Sequence, residues 1–299
     1  MHDQAENLRN RLKAAGSGKQ GKTVSIVSGK GGVGKSNVAI NFSLALVQKG
    51  KKVLVIDFDI GMGNIDILLG RQSDHSIRDL FTGSAVLQEL IEEGPHGLHY
   101  ISGGSGLAGF LELEEKQKNN FFIQYEGLIR LYDYVIFDMG AGATRESIFF
   151  ILASDECILV STPEPTALTD AYGMVKQIIN NSGKMPIHIL MNRSASPKIG
   201  KKALDGLKEV AGKFLKIDLK ELGVLPEDPV VHRAVMHQTP YLLYNEKAAV
   251  SLEIKRIAAQ YLNGSGMAEA ELPETFLGRL KQLMRLRGGD YGHSGNRYR

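Results

Sequence analysis

Short runs of consecutive apolar residues alternate along this chain with longer stretches in which apolar positions recur every three or four residues. The runs Thr23–Ser28, Lys52–Asp57, Leu98–Ile101, Tyr132–Asp138, Cys157–Ser161 and Ile187–Asn192 are β-rich and largely apolar, as strands buried on both faces are. Between and after them, helical spacing predicts helices over 37–49, about 114–130, 144–154, 166–182, 197–215 and 248–262. Strands separated by helices predict an α/β fold: a three-layer, doubly wound, mostly parallel sheet with helices on both faces. Two glycine-serine stretches, Gly16-Ser-Gly-Lys-Gln-Gly21 and Asn263-Gly-Ser-Gly266, read as linkers. The expected division is an N-terminal segment over 1–21, one large domain over 22–263, and a linker, helix and tail over 264–299.

Composition narrows the setting. With 299 residues, 43% of them hydrophobic, the chain can bury a large core. Its single cysteine, Cys157, lies in an apolar run without a disulfide partner, which predicts a buried thiol in a reducing, intracellular protein. The N-terminus carries no apolar signal core, and no 18-residue apolar stretch occurs, so neither secretion nor a membrane span is expected. The net charge of +3 is uneven: over residues 274–299, Arg279, Lys281, Arg285, Arg287, Arg297 and Arg299 face only Glu274 and Asp290. The rest of the chain is about neutral, which argues against a general nucleic-acid binder.

Chemistry enters at the strand ends. Gly29-Lys30-Gly31-Gly32-Val33-Gly34-Lys35-Ser36 matches the phosphate-binding loop G-x-x-x-x-G-K-[ST], between a strand and a helix as that loop requires. The glycines let successive backbone N–H groups turn toward phosphate oxygens, Lys35 neutralises the β and γ phosphates, and the Ser36 hydroxyl holds Mg²⁺. Lys30 is a second lysine within the loop, five positions before the usual one. Asp57 and Asp59 end another strand two residues apart, on one side of it, a placement that is costly without a cation or polarised water between them. The apolar strand ending in Asp138 and followed by Met139-Gly140-Ala141-Gly142 is Walker-B-like, delivering a carboxylate to the metal shell while Gly140 meets the γ-phosphate. Asn192-Arg193 ends a further strand, where an asparagine suits an adenine edge or a loop cap.

Lys30 with Lys35, Asp57-Phe-Asp-Ile-Gly61 and Asp138-x-Gly-Ala-Gly142 together resemble the MinD/ParA family of deviant Walker A ATPases, over roughly residues 22–262. That resemblance implies an ATP-dependent homodimer in which Lys30 reaches the partner's nucleotide and stabilises transition-state charge, as an arginine finger does. It implies Mg²⁺ held by Ser36 and, through water, by Asp138, with Asp57 in support and Asp59 orienting the attacking water. Adenine contacts are implied at Asn192 and in the loop containing Pro226 and Asp228. Asn37 stands where the family often has threonine; its backbone N–H still serves the α-phosphate.

The chain's ends discriminate among the family's functions. In the helix predicted over 274–287, Phe276, Leu277, Leu280, Leu283 and Met284 fall within about 120° of one another, with Arg279, Lys281 and Arg285 outside the stripe. Such a helix reads as lying in an anionic membrane surface, which predicts a cytoplasmic protein peripheral on the inner face of the cell membrane; the bland alternative is a helix docked on its own protein. At the other end, Asp3-Gln4-Ala5-Glu6-Asn7-Leu8-Arg9 resembles the activator motif of the family's flagellar-number regulators. There the segment stimulates the signal-recognition-type GTPase FlhF, which implies Asp3, Gln4, Leu8 and Arg9 as partner contacts and flagellar C-ring proteins as further partners. Met139-Gly140 points the same way, since the septum-placement branch usually has serine-proline there. A septum-site ATPase is the first alternative and a DNA-partition ATPase the second. A redox role with a cluster held between subunits is excluded, because it needs two cysteines from each.

Overall fold

The computed structural model describes residues 20–59, 64–82, 85–103, 110–181, 185–265 and 274–288. Among the described residues, eight strands form one sheet in the order β3-β4-β2-β5-β1-β6-β7-β8. They are β1 Lys22–Val27, β2 Val53–Phe58, β3 Glu92–Glu93, β4 His99–Ile101, β5 Tyr134–Met139, β6 Glu156–Ser161, β7 Ile187–Ser194 and β8 Lys220–Pro226. All neighbours pair in parallel except β3 with β4, so the sheet is mostly parallel, as the apolar runs predict.

The continuous runs split their side chains between two cores. In β2, Leu54, Ile56 and Phe58 enter one core, while Val53 and Val55 enter the other; β5 and β6 alternate in the same way. The first core is covered by α4 Glu115–Ile129, α5 Arg145–Ala153, α6 Pro165–Asn180 and α7 Pro197–Leu215. The second is covered by α1 Lys35–Val47, the short α2 Asn64–Leu69, α8 Pro229–Met236, α9 Tyr241–Tyr244 and α10 Ala249–Ser265. A further short helix, α3 Ile77–Thr82, adds Ile77 and Leu80 to the first core. Cys157 is fully buried, and burial pushes its thiol far above the ordinary range, as expected of an inert core residue.

Strand β8 is absent from the apolar runs of the sequence and takes in Pro226, expected in a loop. Its exposed Lys220 and Glu221, together with Gly223 and Pro226, hide the strand signal. These residues are tolerated because β8 ends the sheet, where proline costs no ladder bond on the open side. A side chain at Gly223 would also meet Ile257 Cδ1 at 2.7 Å.

The C-terminal helix is docked on its own protein, the alternative named beside the membrane reading. Helix α11, Phe276–Gly288, lies against the first core rather than presenting its apolar stripe outward. Phe276, Leu277 and Leu280 are buried, and Leu283 and Met284 pack beside them. The Phe276 ring centre lies 5.1 Å from Tyr125, 5.2 Å from Phe137 and 6.1 Å from Phe150. Arg279 fastens the helix, donating from Nε to the Ala153 carbonyl at 2.8 Å and from Nη2 to Asp155 Oδ1 at 2.6 Å. Of the other cations read as lipid-facing, Lys281 also has a protein partner: its Nζ sits 4.8 Å from the Phe122 ring centre. Each buried apolar side chain contributes about 1.5–3 kcal/mol relative to water, which is why an amphipathic stripe takes a protein groove when one is within reach. Among the described residues, no helix is long and apolar enough to cross a membrane.

Candidate nucleotide-binding site

Strand β1 lies between β5 and β6 while the chain passes from β1 to β2 on the far side of β5, so the crevice at its carboxyl end is a topological switch point. Into it runs the loop from Gly29 to Gly34. Gly34, the N-cap of α1, has φ 90°, and a Cβ there would lie 2.5 Å from Asn192 Nδ2. At Gly29 a Cβ would meet the Asp170 carbonyl at 2.1 Å. Neither position admits a side chain, and the loop is held to its observed course. Helix α1 begins without an acidic residue in its first turn and without a side-chain cap, leaving its positive end bare for an anion. The turn over Gly140–Gly142 closes the loop's flank: Gly142 N donates to the Ser28 carbonyl at 3.0 Å, and a Cβ on Gly31 would lie 3.9 Å from Ala141 Cβ.

Below the loop sits a buried knot of charge. Lys35 follows Gly34 into the helix, and its Nζ donates to Asp138 Oδ1 at 2.5 Å, with Asp59 Oδ2 at 3.9 Å and Ser36 Oγ at 3.4 Å. Asp57 and Asp138 are register partners on β2 and β5, both fully buried. Burial first, and the Asp138 charge second, push the Asp57 carboxyl up to about 7, against the pull of backbone N–H donors and Lys35. Its Oδ1 accepts from Asp59 N at 2.9 Å and its Oδ2 from Asn64 N at 3.0 Å. Burial also raises Asp59, which Lys35 opposes; Asn64 Nδ2 donates to its Oδ2 at 3.1 Å.

This donor set fits a hard divalent cation beside phosphate oxygens. Among the described residues, the buried Asp138 Oδ2 has no hydrogen-bond partner, and neither do Ser28 Oγ and Thr162 Oγ1 at the carboxyl ends of β1 and β6. Two buried carboxylates served by one lysine leave room for additional positive charge.

Lys30 occupies a place of its own. Its Nζ donates to Thr166 Oγ1 at 3.2 Å and lies 3.7 Å from Glu164 Oε2, at the start of α6. Glu164 and Thr166 were not singled out in the sequence. Their signal is the Glu-Pro-Thr helix start, and it acquires meaning only once β6 is known to lie beside β1.

The residues expected at adenine are engaged within the chain. Asn192 Nδ2 donates to the Val33 carbonyl at 2.8 Å, tying β7 to the phosphate loop. Arg193, with φ 53° and an exposed side chain, lies over the same loop, its Nε 3.8 Å from where a Gly34 Cβ would stand. Asp228 caps α8, accepting from Val230 N at 2.9 Å, and its second oxygen accepts from Val250 N at 3.4 Å, so this carboxylate serves as a helix cap here. Pro226 ends β8, with Glu227 N donating to the Ser194 carbonyl at 2.9 Å. Asp3, Gln4, Leu8 and Arg9 lie outside the described residues.

A family model described as an AAA domain matches residues 21–188. The antiactivator FleN of Pseudomonas aeruginosa is 31% identical over 247 residues, covering 83% of this chain and 88% of FleN. The flagellum site-determining protein YlxH of Helicobacter pylori is 34% identical over 254 residues, covering 85% of this chain and 86% of YlxH. Among solved structures, the septum site-determining protein MinD of Pyrococcus horikoshii, complexed with Mg-ADP, matches with a TM-score of 0.65 at 25% identity, over 83% of this chain and 99% of its own.

Proposed function

Because the chain belongs to the MinD/ParA family of P-loop ATPases, we propose that it is an ATP-dependent, dimerising and membrane-associated switch that regulates the number or placement of bacterial flagella. The observation that carries the reading is Lys30: a lysine of the phosphate loop held by Glu164 and Thr166 instead of by the aspartates of its own site. The likeness to FleN and YlxH supports the flagellar assignment.

The chemistry follows from the site. The loop's backbone N–H groups and the bare end of α1 receive the phosphates. Lys35 exchanges Asp138 for the β and γ oxygens, so phosphate binding replaces an internal ion pair instead of leaving a charge unpaired. Ser36 and Asp138, supported by Asp57, are the residues that would hold Mg²⁺, whose charge offsets that of the transferring phosphoryl group. Asp59, oriented by Asn64, positions the attacking water. Lys30 swings from Glu164 to the partner's nucleotide and supplies positive charge in the transition state.

On this reading hydrolysis dissolves the dimer, and the protein sits on the inner face of the cell membrane only while α11 is released. Asp3, Gln4, Leu8 and Arg9 stimulate FlhF, and flagellar C-ring proteins are further partners. The expected solution masses are a monomer with ADP, a dimer with ATP, and a monomer with ATP for Lys30→Ala. Of these, only the ATP dimer should float with anionic liposomes, and a monomer in every state would sink the cross-subunit lysine. A peptide of residues 1–20 should raise GTP hydrolysis by FlhF, and unchanged GTP turnover would return the assignment to the septum-site branch.

A further inference from the structure

Helix α7 carries more apolar surface than the sheet covers. Gly200, Leu204, Leu207 and Ala211 form its buried face over β7 and β8. On the adjoining flank, Ile199, Val210 and Phe214 fall within roughly 60° of one another at about 100° per residue. They are 49%, 41% and 64% exposed. One exposed apolar side chain is ordinary, but three aligned along about 22 Å of one helix make an apolar strip facing water. The strip has a notch at its middle: Gly206 is exposed, and a Cβ on it would meet nothing within 4 Å.

Charge borders this strip on the side away from the sheet. Lys198, Lys202 and Lys213 project there, interrupted only by Glu209. Among the described residues these three lysines have no ion-pair partner, whereas Lys201, turned to another side, meets both Asp205 and Glu221. The Lys213 ammonium lies 5.5 Å from the Phe214 ring centre, so apolar and cationic features adjoin.

We propose that this flank of α7 docks an acidic amphipathic helix from a protein partner. Aliphatic side chains of the partner seat around the Gly206 notch, as a knob from one helix enters a gap on another, and its carboxylates meet Lys198, Lys202 and Lys213. A bilayer gains little from a notch, because small residues take away the depth that anchors a helix in lipid. Nucleic acid gains nothing from three apolar side chains. Its residues are none of those placed at the nucleotide, and the proposal stands independently of the flagellar reading.

The test is selection of displayed helical peptides with randomised faces on the full-length protein. Enriched sequences should carry aliphatic residues at helical spacing with aspartate or glutamate along one border. Phe214→Ser, and separately Lys202→Glu with Lys213→Glu, should weaken the selected peptide by about tenfold or more. ATP binding and unfolding temperature should stay at their unsubstituted values. A basic version of the peptide should bind the charge-reversed protein better than the unsubstituted one. Enriched sequences without acidic bias, or binding that ignores both substitutions, would overturn the proposal. So would Phe214→Ser abolishing attachment to phosphatidylglycerol vesicles while peptide binding persists, an outcome that marks the flank as a lipid surface.

Discussion

At the scale of single residues, the site is held in a state that favours arrival of a cation. Asp57 and Asp138 share one lysine, and the Asp57 carboxyl is raised from its ordinary 3.8 to about 7 by burial and by its neighbour. A carboxyl raised on folding binds its proton more tightly in the folded state. Its contribution is therefore fully present below about 3.8 and lost as pH rises through about 7. The nucleotide-free protein should accordingly unfold at lower temperature at pH 8 than at pH 5, by an amount on the order of a few kcal/mol in stability. Mg-ADP should flatten that slope, since metal and phosphate favour both ionised carboxylates and release Lys35. Thermal melts across this range, with and without Mg-ADP, check the expectation; equal slopes would contradict the pairing of Asp57 with a metal.

At the scale of elements, α11 is the piece on whose release the proposed membrane attachment depends. Arg279 joins it to Asp155, which also accepts from Thr23 N at 2.8 Å and Thr23 Oγ1 at 2.7 Å, so the helix is tied to the start of β1. Replacing Arg279 with glutamine should weaken docking by about 1–3 kcal/mol. Hydrogen exchange over 276–288 should quicken, and the ADP-bound protein should float with anionic vesicles to a measurable extent. Flotation identical to that of the unsubstituted protein would detach membrane binding from release of this helix. Legibility in the sequence divides along the same line. The strands from β1 to β7, β3 apart, and the six long helices of the body follow from apolar runs and periodicity, which are local properties. The phosphate loop is legible for the same reason, since strand, glycines, lysine and helix are contiguous. Strand β8 was hidden because Gly223 and Pro226 suit only a sheet edge. The cover over the stripe of α11 was hidden because periodicity shows that a face is apolar, not what lies against it. The cradle of Lys30 depends on β6 lying beside β1, a neighbourhood that no local pattern states.

At the scale of the whole molecule, the eight-stranded sheet separates two cores and brings the phosphate loop, both buried aspartates and Lys30 to one end. If Lys30 acts on a partner's nucleotide, hydrolysis belongs to a pair of molecules. The rate per subunit should climb steeply with protein concentration until dimers saturate, and for Lys30→Ala it should stay flat and lower by about a hundredfold or more. A rate per subunit independent of concentration in the unsubstituted protein would assign catalysis to the single chain. The docked helix has one further consequence. Phe276 fills a trough floored by Tyr125, Phe137 and Phe150, so the segment that reads as an appendage is also part of the wall of the molecule. A chain shortened before Glu274 is thus not the same globule with its tail removed: it has an unroofed aromatic trench, and it should be sticky in solution for reasons unrelated to where the intact protein lives.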